Sequence, residues 1–137
     1  MNESTLPVVA TRVPSERRMS FLPKYLGAHF VTGEALVYRW ACLLTADNDG
    51  GVWVFFELSN GGFYLAPRSP ERFTITCNLN QFTGQVSADA AGVIFTLYML
   101  NQLANQTQED RLINQYYWLR DFATMHPEYA AIFGAID

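Results

Sequence analysis

Gly50–Pro67, GGVWVFFELSNGGFYLAP, decides how this chain folds. Two runs rich in aromatic and β-branched residues flank Ser59-Asn60-Gly61-Gly62, and Asn-Gly between such runs is the strongest short-range signal for a β-hairpin. With Asn60 and Gly61 as the two central residues of a type I′ turn, Leu58 is expected opposite Phe63, Glu57 opposite Tyr64 and Phe56 opposite Leu65. Alternation then places Val54, Phe56, Leu58, Phe63 and Leu65 on one apolar face. Trp53, Phe55, Glu57, Tyr64 and Ala66 fall on the other, which is aromatic yet carries a carboxylate. Tyr and Trp are favoured at protein interfaces, so Trp53, Phe55, Glu57 and Tyr64 form the candidate partner-binding surface. The competing expectation is that the N-terminal arm or a loop covers this face.

Working outward, Phe73–Leu79 alternates strictly, with Phe73, Ile75, Cys77 and Leu79 against Thr74, Thr76 and Asn78. It is expected to join the hairpin as the third strand of an antiparallel meander. Before the hairpin, Ser20–Gly27 reads as a short helix capped by Ser20 and stopped by Gly27. The segment Glu34–Leu44 has apolar residues at helical spacing, and Asp47–Gly51 reads as a turn, too short for a calcium loop. After it, Ser87 can cap a helix apolar on every side, which belongs in the middle of a domain. Thr107 with Glu109 and Asp110 opens another helix that ends before Pro127, with a further turn or two over Glu128–Phe133. The expected fold is α+β, a small three-stranded antiparallel sheet with one face packed by about four helices. Residues 1–13 read as a flexible arm, in which Thr5–Val13 could dock on a sheet edge, and residues 14–137 as a single domain.

A chain of 137 residues can bury about two-thirds of its unfolded surface. Half of its residues are hydrophobic and 16% are charged, a globular composition. The net charge of −4 lacks the clustered Lys and Arg of a general DNA binder. Nor can thirteen acids offset by nine bases imitate B-DNA, which carries one negative charge per about 1.7 Å of axis. Cys42 and Cys77 are far apart, without a CxxC partner, and read as small buried hydrophobes of a reducing cytoplasm. No secretory signal or membrane-spanning run is present in the sequence.

No catalytic constellation emerges. His29 and His126 are separated by most of the chain and belong to no HExxH pair, Ser59 is not in a GxSxG elbow, and the glycine pairs match neither a P-loop nor a dinucleotide fingerprint. A hydrolase would need Glu57 and a histidine to converge in a pocket. An ordinary cross-strand hydrogen bond to Tyr64 is the simpler expectation for Glu57. The alternative to protein binding is a nucleic-acid module using Arg12, Arg17, Arg18 and Lys24 with the sheet aromatics. No metal, cofactor, membrane or stable DNA contact is expected.

Three segments, Arg18–Gly27 (RMSFLPKYLG), Gly33–Tyr38 (GEALVY) and above all Phe56–Pro67 (FELSNGGFYLAP), resemble the antirestriction protein family of the ArdB/KlcA type. The similarity runs from about Pro14 to the end with the same order of segments. It implies an α/β domain with a small antiparallel sheet, carried on plasmids or other mobile elements. The implied role is protection of incoming DNA from type I restriction enzymes without a cofactor. The implied partner is the restriction enzyme or an associated host factor in the cytoplasm. The resemblance brings no catalytic residues.

Overall fold

A computed structural model describes residues 7–48 and 51–137. The first six residues of the expected arm, and Asp49 and Gly50 of the expected turn, lie outside the described residues. The elements run β1 (Ala10–Arg12), a 3-10 turn (Ser15–Arg17), α1 (Arg18–Leu26), a second 3-10 turn (Gly27–His29), α2 (Phe30–Leu44), β2 (Trp53–Leu58), β3 (Phe63–Pro67), β4 (Phe73–Cys77), β5 (Phe82–Val86), α3 (Ala88–Thr107), α4 (Asp110–Thr124) and α5 (Tyr129–Ile136). The fold is α+β.

The three-stranded sheet exists, but its third strand is not the expected one. Its order is β1-β2-β3, all antiparallel, while β4 pairs with β5 in a separate two-stranded sheet. The N-terminal segment supplies the missing strand: Ala10, Thr11 and Arg12 face Leu58, Glu57 and Phe56, and Val13 is buried. Residues 9–13 are therefore docked along the β2 edge, not a free arm. β4 instead finds a partner in Phe82–Val86, a strand with little sequence signal because its Thr-Gly-Gln centre is polar and contains glycine.

The hairpin forms, shifted by one residue. Glu57 faces Phe63, Phe56 faces Tyr64 and Phe55 faces Leu65. Gly61 N–H donates to Leu58 O (3.1 Å) and Leu58 N–H to Gly62 O (2.9 Å), so the loop has three residues, Ser59, Asn60 and Gly61. This is a turn followed by a bulge, with Gly61 at φ +99°, a backbone region that glycine enters at no steric cost. One added residue moves every β3 side chain to the opposite face. Phe55, Glu57, Phe63 and Leu65 share one face; Val54, Phe56, Tyr64 and Ala66 share the other.

Both faces are covered. From α1, Phe21 stacks on Phe55 (4.9 Å) and meets Phe63 edge-on (5.7 Å), while Tyr25 stacks on Phe63 (5.0 Å). On the reverse, Tyr64 lies between Phe56 (4.8 Å) and Phe122 of α4 (5.5 Å). The central helix α3 is capped by Ser87, whose Oγ accepts from Ala90 N–H at 3.1 Å, and is buried on nearly all sides. It runs along the outer edge of β3. Thr96 Oγ1, fully buried, accepts from Leu65 N–H (3.2 Å) and donates to Leu65 O (3.3 Å). Those are the groups the edge strand would otherwise leave without partners. Gly92 makes the approach possible, since a side chain there would collide with Ala66 and the Leu65 carbonyl.

The smaller sheet leads directly into α3 and is tied to α5. Tyr98 OH donates to Ala135 O (2.6 Å), Asn80 Nδ2 donates to the same carbonyl (2.7 Å), and Cys77 Sγ lies 2.9 Å from Tyr98 OH. Cys77 is buried, whereas Cys42 is exposed: it points outward from α2, and the apolar residues around it in sequence do not cover it.

Candidate functional site

ELSNGGFY, residues 57–64, is where the elements converge. Glu57 lies on the central strand beneath α1 and receives Tyr25 OH at 2.7 Å, Lys24 Nζ at 3.1 Å and Arg17 Nη1 at 3.2 Å. The hydrogen bond from Tyr25, joined by those from Lys24 and Arg17, holds its carboxyl below the usual range against a partial loss of solvent. Burial, with the Glu57 charge added, pushes the Tyr25 phenol up. Its partner is thus Tyr25 and not Tyr64, which the register has placed on the other face.

Ser59 ties the turn to the N-terminal segment, accepting Val9 N–H on Oγ (2.8 Å) and donating its own N–H to Val9 O (2.9 Å). Asn60 and Gly61 tie it to α4. Asn60 Nδ2 donates to Trp118 O (2.9 Å) while its Oδ1 accepts Gly62 N–H (3.0 Å), and Gln115 Nε2 donates to Gly61 O (3.1 Å). Tyr64 then reaches α3: its OH donates to Asp89 Oδ1 at 2.6 Å.

Asp89 opens a second polar cluster that the sequence did not announce. Its other oxygen lies 2.8 Å from His126 Nε2, and His126 Nδ1 accepts Glu128 N–H at 3.0 Å. With Nδ1 accepting an amide, the ring proton sits on Nε2 and points at the carboxylate. Glu128 continues the chain, accepting from Ser87 N–H (2.8 Å) and from Ser87 Oγ, with Arg72 3.6 Å away. Burial opposes the Asp89 charge, but the hydrogen bonds from His126 and Tyr64 outweigh it and keep its carboxyl below the usual range. Burial first, and the neighbouring Asp89 second, push the Tyr64 phenol up. The cluster stitches the start of α3 to the α4–α5 connection.

Of the expected partner-binding residues, Trp53 (6% exposed), Phe55 (5%) and Tyr64 (1%) are buried, and only Glu57 is partly open. Trp53 packs against Tyr38 of α2 and Phe95 of α3. The four do not form one surface: Phe55 and Glu57 face α1, Tyr64 faces α4. Their aromatic character reflects a sheet covered on both sides, and α1, not an arm or loop, covers the face read as open.

The histidines do not join Glu57. His29 Nε2 lies 2.5 Å from Glu109 Oε2 and links the turn before α2 to the start of α4. His126 is buried beside Asp89. Arg17 and Lys24, counted among the cations for nucleic acid, are engaged by Glu57. Among the described residues no group of three or more His, Cys, Asp or Glu side chains could hold a metal ion. No described helix is long and apolar enough to cross a membrane.

A family model described as antirestriction protein matches residues 46–137, a span that contains the hairpin, α3, α4 and the Asp89 cluster. The chain belongs to the antirestriction protein family. Two proteins of Escherichia coli, each named antirestriction protein KlcA, resemble it along their lengths. One is 46% identical over 142 aligned positions, covering 100% of both chains. The other is 48% identical over 138, covering 96% of this chain and 94% of the relative. A solved chain superposes with a TM-score of 0.90 at 46% identity, covering 100% of both; it comes from work on the KlcA and ArdB proteins that describes a novel fold and antirestriction activity against type I DNA restriction systems in vivo but not in vitro. The segment that most clearly announces this antirestriction protein, residues 57–64, is thus the joint at which α1, α3, α4, β1 and the hairpin are fastened.

Proposed function

We propose that this antirestriction protein protects incoming mobile-element DNA from type I restriction endonucleases in the cytoplasm. It does so without catalysis, through contact with a protein of the restriction machinery or with a host factor the machinery needs. The observation that carries the reading is the activity described for KlcA and ArdB, present in vivo but not in vitro. An inhibitor that filled the DNA groove of the endonuclease would act on the purified enzyme too, so the cell must supply a component.

Charge supports the same mechanism. A mimic spanning a domain roughly 35 Å across would need about twenty uncompensated negative charges, and this chain has a net charge of −4. The nucleic-acid alternative is weakened because Glu57 neutralises Arg17 and Lys24.

Plating unmodified phage on a type I restricting host with and without the protein tests the assignment. A rise in plating efficiency confined to the restricting host is the expected result. Equal plating on both would remove the assignment.

A further inference from the structure

Where β1 stops, the edge of β2 goes on. Arg12, the last residue of β1, lies opposite Phe56, and Val13 N–H still donates to Phe55 O at 2.8 Å. Pro14 then turns the chain into the Ser15–Arg17 turn and α1, so β1 does not accompany Trp53 and Val54. A cavity of about 280 Å³ opens at this point, floored by Val54 and Phe55, walled by Pro14 and Ser15, and rimmed by Arg12 and Arg18.

The cations of this corner divide into two kinds. Arg17 and Lys24 are held by Glu57. Arg12 and Arg18 have no carboxylate within ion-pairing distance among the described residues. Arg18 is nonetheless fixed, its guanidinium 4.6 Å above the Phe55 ring. Stacking on an aromatic face sets the plane of the guanidinium and leaves its N–H edge free for a bidentate carboxylate. Two such groups, beside a cavity floored by Val54 and Phe55 and a length of β2 that β1 leaves unpaired, match an extended chain that bears carboxylates and an apolar side chain.

We infer that this cavity docks an extended acidic segment of a partner protein, with carboxylates on Arg12 and Arg18 and an apolar side chain on Val54 and Phe55. The inference rests on the protein-contact function proposed above. A nucleic acid fits less well. Two cations neutralise about two phosphates, too few to hold a polyanion at cellular salt, and a half-apolar floor offers a backbone nothing.

The test is fluorescence anisotropy of the full chain with a labelled hexapeptide alternating glutamate with leucine and phenylalanine, and with a labelled oligothymidylate for comparison. The peptide is expected to bind saturably, and Arg12→Glu or Arg18→Gln to weaken it about tenfold or more, the worth of one charge-assisted contact. Arg18→Lys, which keeps the charge but not the fork, should fall between. Arg111→Gln on α4 should leave binding unchanged. Thermal melts matching the wild type confirm that each variant is folded. Saturable binding absent up to about 1 mM, binding indifferent to Arg12 and Arg18, or tighter Arg-dependent binding of the oligothymidylate would each overturn the inference. Phage protection by a wild-type protein that ignores the peptide ends this inference alone; wild-type protein that does not protect ends the proposed function.

Discussion

Replacing Gly92 by alanine sets two physical effects of opposite sign against each other. On helix propensity alone, Gly→Ala inside α3 should stabilise the protein by about 1 kcal/mol. The packing says the reverse. A Cβ at Gly92 would stand 2.5 Å from Ala66 Cα and collide with Ala66 Cβ and Leu65 O, atoms of a strand that cannot swing aside like the end of a flexible side chain. α3 must retreat from the edge of β3, which costs about 1–3 kcal/mol in strain. The retreat also stretches the two bonds of Thr96 Oγ1 to Leu65, already 3.2 and 3.3 Å, each worth about 0.5–1.5 kcal/mol. The net expectation is a loss of about 3 kcal/mol out of a typical 5–15. Urea unfolding followed by circular dichroism should show the midpoint falling by about 1–2 M with little change in slope. In Thr96→Val the hydrogen-bond part is already gone, so the same Gly92 substitution should cost less there, a non-additivity of about 1 kcal/mol. A midpoint that stays or rises would refute the close approach of α3 to the sheet.

Other expectations follow from the polar joints. Tyr64→Phe should cost about 1–2 kcal/mol by stranding a hydrogen bond to Asp89, whereas Tyr64→Ala should cost about 3–5 kcal/mol and abolish a cooperative melt; a folded, undiminished Tyr64→Ala protein would contradict its place in the core. Asp89 has a folded-state carboxyl below its ordinary value near 3.8, so it stabilises the fold above that value and the contribution fades as pH falls through the lower one. Asp89→Asn should therefore flatten the acid limb of a stability-against-pH curve, and parallel limbs for the two proteins would count against the Asp89–His126–Tyr64 cluster. Ser59→Ala removes the acceptor of Val9 N–H and should raise hydrogen exchange in β1 while leaving α3 protected; unchanged exchange in β1 would show that the segment is held without it.

Much of the architecture is legible in the chain because local signals and packing agree. The β-hairpin, the cap at Ser87, the all-round apolarity of α3 and the stop at Gly27 each have a direct physical cause in neighbouring residues. The register is not legible, since Asn60-Gly61-Gly62 suits a two-residue turn and a bulged three-residue turn alike. Hydrophobic alternation usually settles such a choice by exposing one face, and here it cannot, because Phe55 and Phe63 are buried under α1 while Tyr64, on the other face, is buried between Phe56 and Phe122 of α4. The same double coverage turned Trp53, Phe55 and Tyr64 into an apparent binding surface.

β5 is not legible in the sequence because Thr83, Gly84 and Gln85 carry almost no strand preference and take their conformation from β4 and α5. The Asp89–His126 pair joins positions far apart in sequence, and only the fold reveals that the start of α3 meets the end of α4. Arg12 and Arg18 were visible as cations. What separates them from Arg17 and Lys24 is the location of one carboxylate, Glu57, which is set by how α1 and the turn before it pack over β2.

Under the proposed function, protection arises from a protein contact made in the cell and not from occupation of the endonuclease DNA site. Cleavage of unmodified DNA by a purified type I endonuclease, titrated with this purified protein, tests it most directly. The expected result is undiminished cleavage at molar excess. Stoichiometric inhibition that added duplex DNA relieves would instead place the protein in the endonuclease DNA site.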